Sequence, residues 1–357
     1  MKTSHKPLRI GGHTIRKGET KDLRLKISET YTGDSITIPI RVIRSKNAGP
    51  TVFVTAAIHG DEINGTGIVH ELMFQHVQKL IAGTLILIPV VNVFGFESHE
   101  RYLPDRRDLN RSFPGSPSGS LASRYADTIM KEVVSKSDYG IDLHTAGGQR
   151  TNFPNIRGDL TNPAVRKLAK SFGCALIVDG KGPLGSFRRE VCRAGVPTII
   201  LEAGEPLKME PSVLEIGVQG VCNVLYSLEM LKGTPAKPPY QTTIKKSSWL
   251  RAKVGGILRF HISVGEIVEA GQAIATNYSL LGEELNILTA PVDGIILSIA
   301  TLPAVKPGEP VCHLAVPQAK IASIRKKLKA NDDVSYQQAM DHLATNAQVH
   351  ETPSAEN

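Results

Sequence analysis

The sequence predicts a mixed α/β fold, a mostly parallel sheet flanked by helices and followed by a small all-β C-terminal part. Two continuous apolar runs, at 51–58 and 84–91, read as strands buried on both faces. The segment between them repeats apolar residues at helical spacing, which makes a β-α-β unit and so a parallel sheet. The third observation is Gly233-Thr-Pro-Ala-Lys-Pro-Pro, where crowded Gly and Pro stop both helix and ladder, and after which the pattern turns to short strands and Gly turns.

Taken in order, 8–46 alternates polar and apolar residues, as in Asp22-Leu-Arg-Leu-Lys-Ile and Ser35-Ile-Thr-Ile-Pro-Ile-Arg-Val-Ile. That is the period of strands with one wet face, an antiparallel edge leading into the main sheet. The 51–58 strand, a helix over 64–79 and the 84–91 strand follow. A polar loop over 92–119 then carries Arg101-Tyr-Leu-Pro-Asp-Arg-Arg-Asp-Leu-Asn-Arg-Ser-Phe-Pro-Gly, and loops of that length in a compact domain are usually functional. A helix over 121–136, a strand ending at His144, a loop over 149–159, a helix over 163–172 and a strand at 175–178 come next. A Gly-rich turn with Ser186-Phe-Arg-Arg, a strand at 198–202 and a helix over 211–231 close the large unit. Beyond it, Gly256-Ile-Leu with Val268-Glu-Ala-Gly-Gln-Ala-Ile is echoed by Gly294-Ile-Ile with Val305-Lys-Pro-Gly-Glu-Pro-Val, two halves of a quasi-twofold sandwich or barrel. The expected division is 1–46 as an N-terminal β segment joined to the main sheet, 47–235 as the catalytic domain, 240–316 as the all-β module and 317–357 as a polar tail.

Composition narrows the function. At 357 residues, 41% hydrophobic and 21% charged, the chain is an ordinary globular protein large enough for a core and a smaller module. No stretch approaches the roughly 20 apolar residues of a bilayer span, which argues against a membrane protein. The start, Met1-Lys-Thr-Ser-His-Lys-Pro, is basic without a signal peptide's apolar segment, so the expected location is cytoplasmic. Cys174, Cys192, Cys222 and Cys312 form no CxxC pair and read as reduced thiols. The net charge of +8 is spread out and accompanied by few aromatics, which disfavours nucleic acid and suits small anionic substrates through steering. Part of it lies in Lys320-Ile-Ala-Ser-Ile-Arg-Lys-Lys-Leu-Lys, a solvated helix face. Oligomeric state stays open, a homo-oligomer included.

The chemistry is concentrated at His59-Gly-Asp-Glu62, where two ligand-type side chains leave the end of an apolar strand. Catalytic Zn²⁺ usually takes three protein ligands and leaves one position for water, and His₂Glu is an established set, so one distant His is required. His144, after the apolar run in Gly140-Ile-Asp-Leu-His-Thr-Ala-Gly, supplies it. Ligands at the C-terminal ends of neighbouring parallel strands converge where open α/β sheets place their ligands. The bland alternative is two ordinary strand-end histidines and a glutamate that opens a helix.

His59-Gly-Asp-Glu62, Asp108-Leu-Asn-Arg111-Ser-Phe-Pro-Gly, Asp142-Leu-His144-Thr and Leu201-Glu202-Ala-Gly, in that order, resemble the succinylglutamate desuccinylase and aspartoacylase family, within the wider zinc carboxypeptidase superfamily. The resemblance covers about 52–204. It implies a zinc carboxypeptidase-like core and one Zn²⁺ per chain, held by His59, Glu62 and His144, which lowers the pKa of its water to roughly 7. It further implies Glu202 as general base and later acid, and Arg101 as the group that polarises the scissile carbonyl. Asn110 and Arg111 would grip the substrate carboxylate, and Arg188 would sit near the acyl pocket, with Arg189 adjacent and not separable from it. A salt-bridged loop, with Asp108 as partner, is the alternative for Asn110 and Arg111. Tyr278 and Tyr240 are the candidates for a tyrosine that some members contribute from the C-terminal module. That module is similar to biotinyl and lipoyl carrier domains, but no lysine occupies the hairpin around Gly282-Glu-Glu-Leu-Asn, which argues against a carrier role. His70, His76, His261 and His313 read as surface or packing residues, and Cys192 as inert. The expected function is a zinc-dependent hydrolase that deacylates an N-acyl amino acid or a similar carboxylate-bearing amide. The rivals are a metallocarboxypeptidase acting on a peptide C-terminus and a non-catalytic binding or scaffold protein.

Overall fold

The computed structural model describes residues 7–30, 32–77, 79–330 and 343. β1 (Leu8–Ile10) and β2 (His13–Ile15) form a small antiparallel ribbon, and β3 (Thr20–Glu29) and β4 (Ser35–Arg44) form a long antiparallel pair. Along that pair Leu23, Leu25 and Ile27 alternate with exposed residues, so the expected one-sided burial is present. The main unit continues as β5 (Thr51–Ala56), α1 (Asn64–Glu71), β6 (Thr84–Ile88), α2 (Val93–Ser98), α3 (Leu121–Glu132), β7 (Tyr139–His144) and β8 (Arg150–Gly158). Then come α4 (Pro163–Phe172), β9 (Leu176–Asp179), α5 (Phe187–Arg193), β10 (Thr198–Gly204) and α6 (Pro211–Ser227).

The centre of the sheet is parallel, in the order β6-β5-β7-β10, with β4 and β8 antiparallel on either side. β5 shows why these strands are apolar throughout: Val52, Val54 and Ala56 pack into one core while Phe53 packs into the core on the other face. With both faces covered, a polar side chain on these central strands costs free energy unless it is hydrogen-bonded. Thr55 is an instance, donating to Asp142 Oδ1 at 2.7 Å.

The remaining strands are β11 (Thr242–Arg251), β12 (Gly256–Phe260), β13 (Ile267–Val268), β14 (Ala273–Tyr278), β15 (Glu284–Thr289), β16 (Gly294–Ala300), β17 (Ala304–Val305) and β18 (Pro310–Pro317), followed by α7 (Ile321–Ala330). β11 runs parallel to β9 and carries β18, β16 and β13 with it, so the large sheet reaches twelve strands. β16 also pairs with β8, which closes β8, β9, β11, β18 and β16 into a ring of pairings. The echoed sequence halves are exchanged in space: β12 pairs with β17, and β16 with β13. Of the expected polar tail, α7 buries Ile324 and exposes Lys326, Lys327 and Lys329, whereas 331–357 lies outside the described residues apart from Leu343. No helix among the described residues is long and apolar enough to cross a membrane.

Several expectations change. The helix over 64–79 ends as α1 at Glu71 and continues as a π-helical turn over Leu72–His76, closed by Val77 N–H donating to Leu72 O at 3.3 Å. The 92–119 segment is not all loop, because Asn92 Oδ1 caps α2 by accepting from Gly95 N at 2.9 Å. The turn at Ser186-Phe-Arg-Arg opens a helix, α5, and the last helix of the unit stops at Ser227. The largest difference is 149–159, which is the strand β8 between β10 and β9. Its buried Thr151, Asn152 and Asn155 break the apolar pattern that marks a central strand.

Candidate metal and catalytic centre

β5 ends in a forced turn. Ala57 has φ 50°, a left-handed conformation that a residue with a Cβ rarely adopts, and it turns the chain out of the strand ahead of His59 and Glu62. Gly60 passes against α2 so closely that a Cβ there would lie 1.8 Å from the carbonyl carbon of Gly95. Since that obstacle is backbone, no rotamer change relieves it. Gly60→Ala is therefore expected to cost about 2 kcal/mol or more and to displace His59, seen as a lower Tm together with reduced metal content.

His59, Glu62 and His144 are all buried, and one ligand atom from each lies within 4.8 Å of the others. His59 Nδ1 is 2.6 Å from Glu62 Oε1, and His144 Nδ1 is 2.9 Å from Glu62 Oε2. Thr145 N–H donates to the latter oxygen at 3.1 Å. The far nitrogens also have carboxylate partners: His59 Nε2 is 3.2 Å from Asp108 Oδ1 and His144 Nε2 is 2.7 Å from Asp142 Oδ2. A hydrogen on Nε2 shared with a carboxylate leaves the Nδ1 lone pair facing inward, which is how histidine ligands are oriented at metal sites. Two imidazole nitrogens and one carboxylate so arranged fit a divalent cation of the Zn²⁺ type.

The electrostatics follow from burial and pairing. Burial would raise the Glu62 carboxyl, but the His59 and His144 imidazoles hold it well below the usual carboxylate range. Asp108 is likewise held down against burial by His59 and Arg101. For His144, burial acts downward and is outweighed by Asp142 and Glu62, which raise it well above the ordinary histidine value. His59 is raised as well, Glu62 and Asp108 prevailing over burial.

Glu202 lies beside His144, its partner in register across β10 and β7. β8 grips it: Asn152 Nδ2 donates to Glu202 Oε2 at 3.0 Å, and Arg157 Nη1 stands 3.5 Å from Oε1. Arg101 reaches the triad, donating through Nη1 to Glu62 Oε1 at 3.3 Å and through Nη2 to Asp108 Oδ2 at 3.0 Å. Asp108 thus pairs with His59 and Arg101, and not with Arg111 as the salt-bridged-loop alternative has it. Arg111 is exposed, its Nη1 donating to Asn110 O at 2.7 Å, and the Asn110 side-chain oxygen accepts from Phe187 N at 2.8 Å. Arg188 is buried and donates to Gly180 O at 2.6 Å, while the half-buried Arg189 donates to Gly182 O at 2.9 Å. Arg188 lies within electrostatic reach of Arg157 and Glu202. Tyr240 is buried in the core, and Tyr278 stacks under the Arg259 guanidinium. Cys192 is held up by burial, as expected of an inert thiol.

In the sequence Asp142 stands out only as part of a motif, yet its place two residues from His144 on one strand puts both on one face, a signal that was available. Asn152, Asn155 and Arg157 carried none, because their strand reads as a loop. Asp142→Asn should keep the fold while weakening metal affinity about 10–100-fold, read by competition with a chromophoric chelator. Two concave surfaces, of about 680 and 830 Å³, lie elsewhere: neither is lined by His59, Glu62 or His144, and the second has Arg150 on its rim. Size alone does not mark a catalytic centre; the converging ligand set does.

Residues 48–228 match the family model described as the succinylglutamate desuccinylase/aspartoacylase catalytic domain. An N-alpha-acetyl-L-2,4-diaminobutyric acid deacetylase from Halomonas elongata is 28% identical over 271 residues, 72% of this chain and 79% of that protein. The product-bound ectoine utilization protein EutE (DoeB) from Ruegeria pomeroyi superimposes with a TM-score of 0.76 at 26% identity, covering 87% of this chain and 98% of that one. A succinylglutamate desuccinylase from a Silicibacter species shares the fold, with a TM-score of 0.76 at 24% identity over 88% and 98% of the two chains.

Proposed function

Because the chain belongs to the succinylglutamate desuccinylase/aspartoacylase family, we propose that it is a zinc-dependent hydrolase that removes the acyl group from a small N-acyl amino acid or a similar carboxylate-bearing amide. The observation that carries this is the His59, Glu62 and His144 cluster with Glu202 one strand away in register. A bound Zn²⁺ supplies Lewis acidity and lowers the pKa of a coordinated water to about 7.

The protein's own residues do the rest. His59, Glu62 and His144 hold the ion, and Asp108 and Asp142 orient the two imidazoles from behind. Glu202 accepts a proton from the attacking water through its carboxylate and delivers it to the departing amine nitrogen. Asn152 and Arg157 keep that carboxylate in place. Arg101 offers guanidinium hydrogens beside the triad, where negative charge develops on the carbonyl oxygen in the transition state. Asn110 and Arg111, expected at the substrate carboxylate, serve the loop that carries Asp108, since Asn110 Oδ1 accepts from Phe187 N and Arg111 Nη1 donates to Asn110 O, and Arg188 supplies positive charge near Glu202 on the acyl side.

Residues 47–235 form the catalytic part of this reading, preceded by the β segment 1–46. The strands over 240–316 are a biotinyl/lipoyl-type module without a carrier lysine, narrowing the entrance against long peptides. That favours deacylation over the carboxypeptidase alternative. The relatives' names put acetyl and succinyl groups first among candidates. Metal analysis combined with an amine-release screen over acetyl, succinyl and formyl amino acids and a set of short peptides tests the proposal. About one zinc per chain and release from N-acyl amino acids is the expected result, and preference for peptides longer than three residues would overturn it.

A further inference from the structure

The side chain of Arg150 takes no part in the network around the metal ligands. It opens β8, and its backbone is pinned by the C-terminal strands: Arg150 pairs with Ala300 of β16, and Thr301 N–H donates to Gln149 O at 2.9 Å. Its guanidinium carbon sits 5.4 Å from the centre of the Trp249 ring, a cation–π contact. Trp249 is itself held, stacked on His313 with ring centroids 4.4 Å apart and planes 9° from parallel, and His313 Nε2 is 2.9 Å from Ser247 Oγ. Burial, then Arg157 and Arg150, push His313 down to about 4, so this platform is neutral at physiological pH.

Arg150 is half-buried, and among the described residues its guanidinium makes no hydrogen bond and no ion pair with a carboxylate. The other arginines near the centre are engaged: Arg101 by Glu62 and Asp108, Arg157 by Glu202, Arg188 by Gly180 O and Arg111 by Asn110 O. Two glycines, Gly147 and Gly148, stand next to the Arg150 guanidinium. A side-chain carbon on Gly147 would lie 3.4 Å from Arg101 Nη1 and 3.9 Å from Arg150 Nη2, and one on Gly148 would lie 3.7 Å from Arg150 Nη2. An unpaired guanidinium and one tied to the metal ligands therefore flank Gly147, which puts no side chain between them.

We infer that Arg150, seated on Trp249, is the anchor for the substrate carboxylate, with Gly147 leaving the room the carboxylate occupies next to Arg101. This rests on the deacylase reading and replaces Arg111 in that role. A planar fork with its hydrogens free takes a carboxylate by two parallel bonds, and partial burial strengthens them. Trp249 comes from β11, so the C-terminal strands set the substrate preference of a centre whose reacting groups lie elsewhere.

The chain has one tryptophan, so its emission reports on this place directly. Zinc-loaded protein is titrated with N-acetylglycine and with N-succinyl-L-glutamate, each compared with its α-carboxamide, while amine release is followed in parallel samples. A saturable change in tryptophan emission with at least one acid and not with its carboxamide is expected. Arg150→Met should weaken that binding and raise KM about 10–100-fold, with kcat within about threefold. Arg150→Lys should recover part of the loss, and Gly147→Ala, whose backbone is not left-handed, should raise KM by putting a side chain between the two guanidinium groups. The inference is overturned if Arg150→Met binds and turns over the acids as the wild type does, if the carboxamides bind equally well, or if no acid changes the emission. Carboxylate binding lost in Arg150→Met, without amine release from any acyl amino acid, would leave the anchor standing and remove the deacylase reading.

Discussion

His144→Ala should reduce bound zinc from about one per chain to near zero and lower turnover by roughly 10³-fold or more. The ion's polarisation of a carbonyl contributes several kcal/mol, and each tenfold in rate is about 1.4 kcal/mol. The effect is expected to be this large because His144 cannot be replaced locally: Glu62 Oε2 and Asp142 Oδ2 both face it, at 2.9 and 2.7 Å, and would be left as buried carboxylates with one partner fewer. Added zinc should restore chelator-treated wild type but not the variant. His70→Ala, on the exposed side of α1, is the control and should keep both metal and turnover. The same geometry sets a pH dependence. Both imidazoles are raised above the ordinary histidine value, so in the metal-free protein they keep protons to higher pH, and the ion has to displace them. Zinc retained after dialysis should accordingly fall as the pH is lowered from about 8 to about 5. A protein that kept no metal at either pH, with His144→Ala unchanged in turnover, would fit the scaffold alternative instead.

The parts of this molecule that were legible in the sequence are those that a local pattern records. β5, β6 and β10 open as apolar runs because both faces are covered, and α4 has the expected ends, with Asn162 capping it, Pro163 opening it and Gly173 closing it in a left-handed turn. The triad was legible because two of its members lie three residues apart and the third ends a neighbouring strand. β8 was not, since the side chains with which it reaches Glu202, Asn152 and Asn155, are those that disguise it as a loop. Nor was the union of β11 with β9, or of β16 with β8, visible: register between strands some 60 to 150 residues apart leaves no periodic trace. The Arg150 and Trp249 contact depends on those pairings, so it is a property of the assembled sheet alone.

Glu202→Gln separates proton transfer from metal holding. The amide keeps an oxygen that can accept from Asn152 Nδ2, so the side chain should stay where the carboxylate is. What it loses toward Arg157 is a partly exposed pair at 3.5 Å, worth no more than about 1 kcal/mol. The ligand atoms of His59, Glu62 and His144 are untouched. Zinc content and Tm should therefore stay close to those of the wild type, while kcat falls about 10²–10⁴-fold because no group beside His144 can then accept the water's proton or hand it to the amine. KM should change little, since the anchor proposed at Arg150 makes no contact with this carboxylate. Stopped turnover with full metal in Glu202→Gln, set beside lost metal in His144→Ala, assigns two different jobs to neighbouring residues of one register pair. Near-wild-type kcat in Glu202→Gln would mean that the proton travels by another group, and β10 would lose its part in proton transfer even with the metal centre intact.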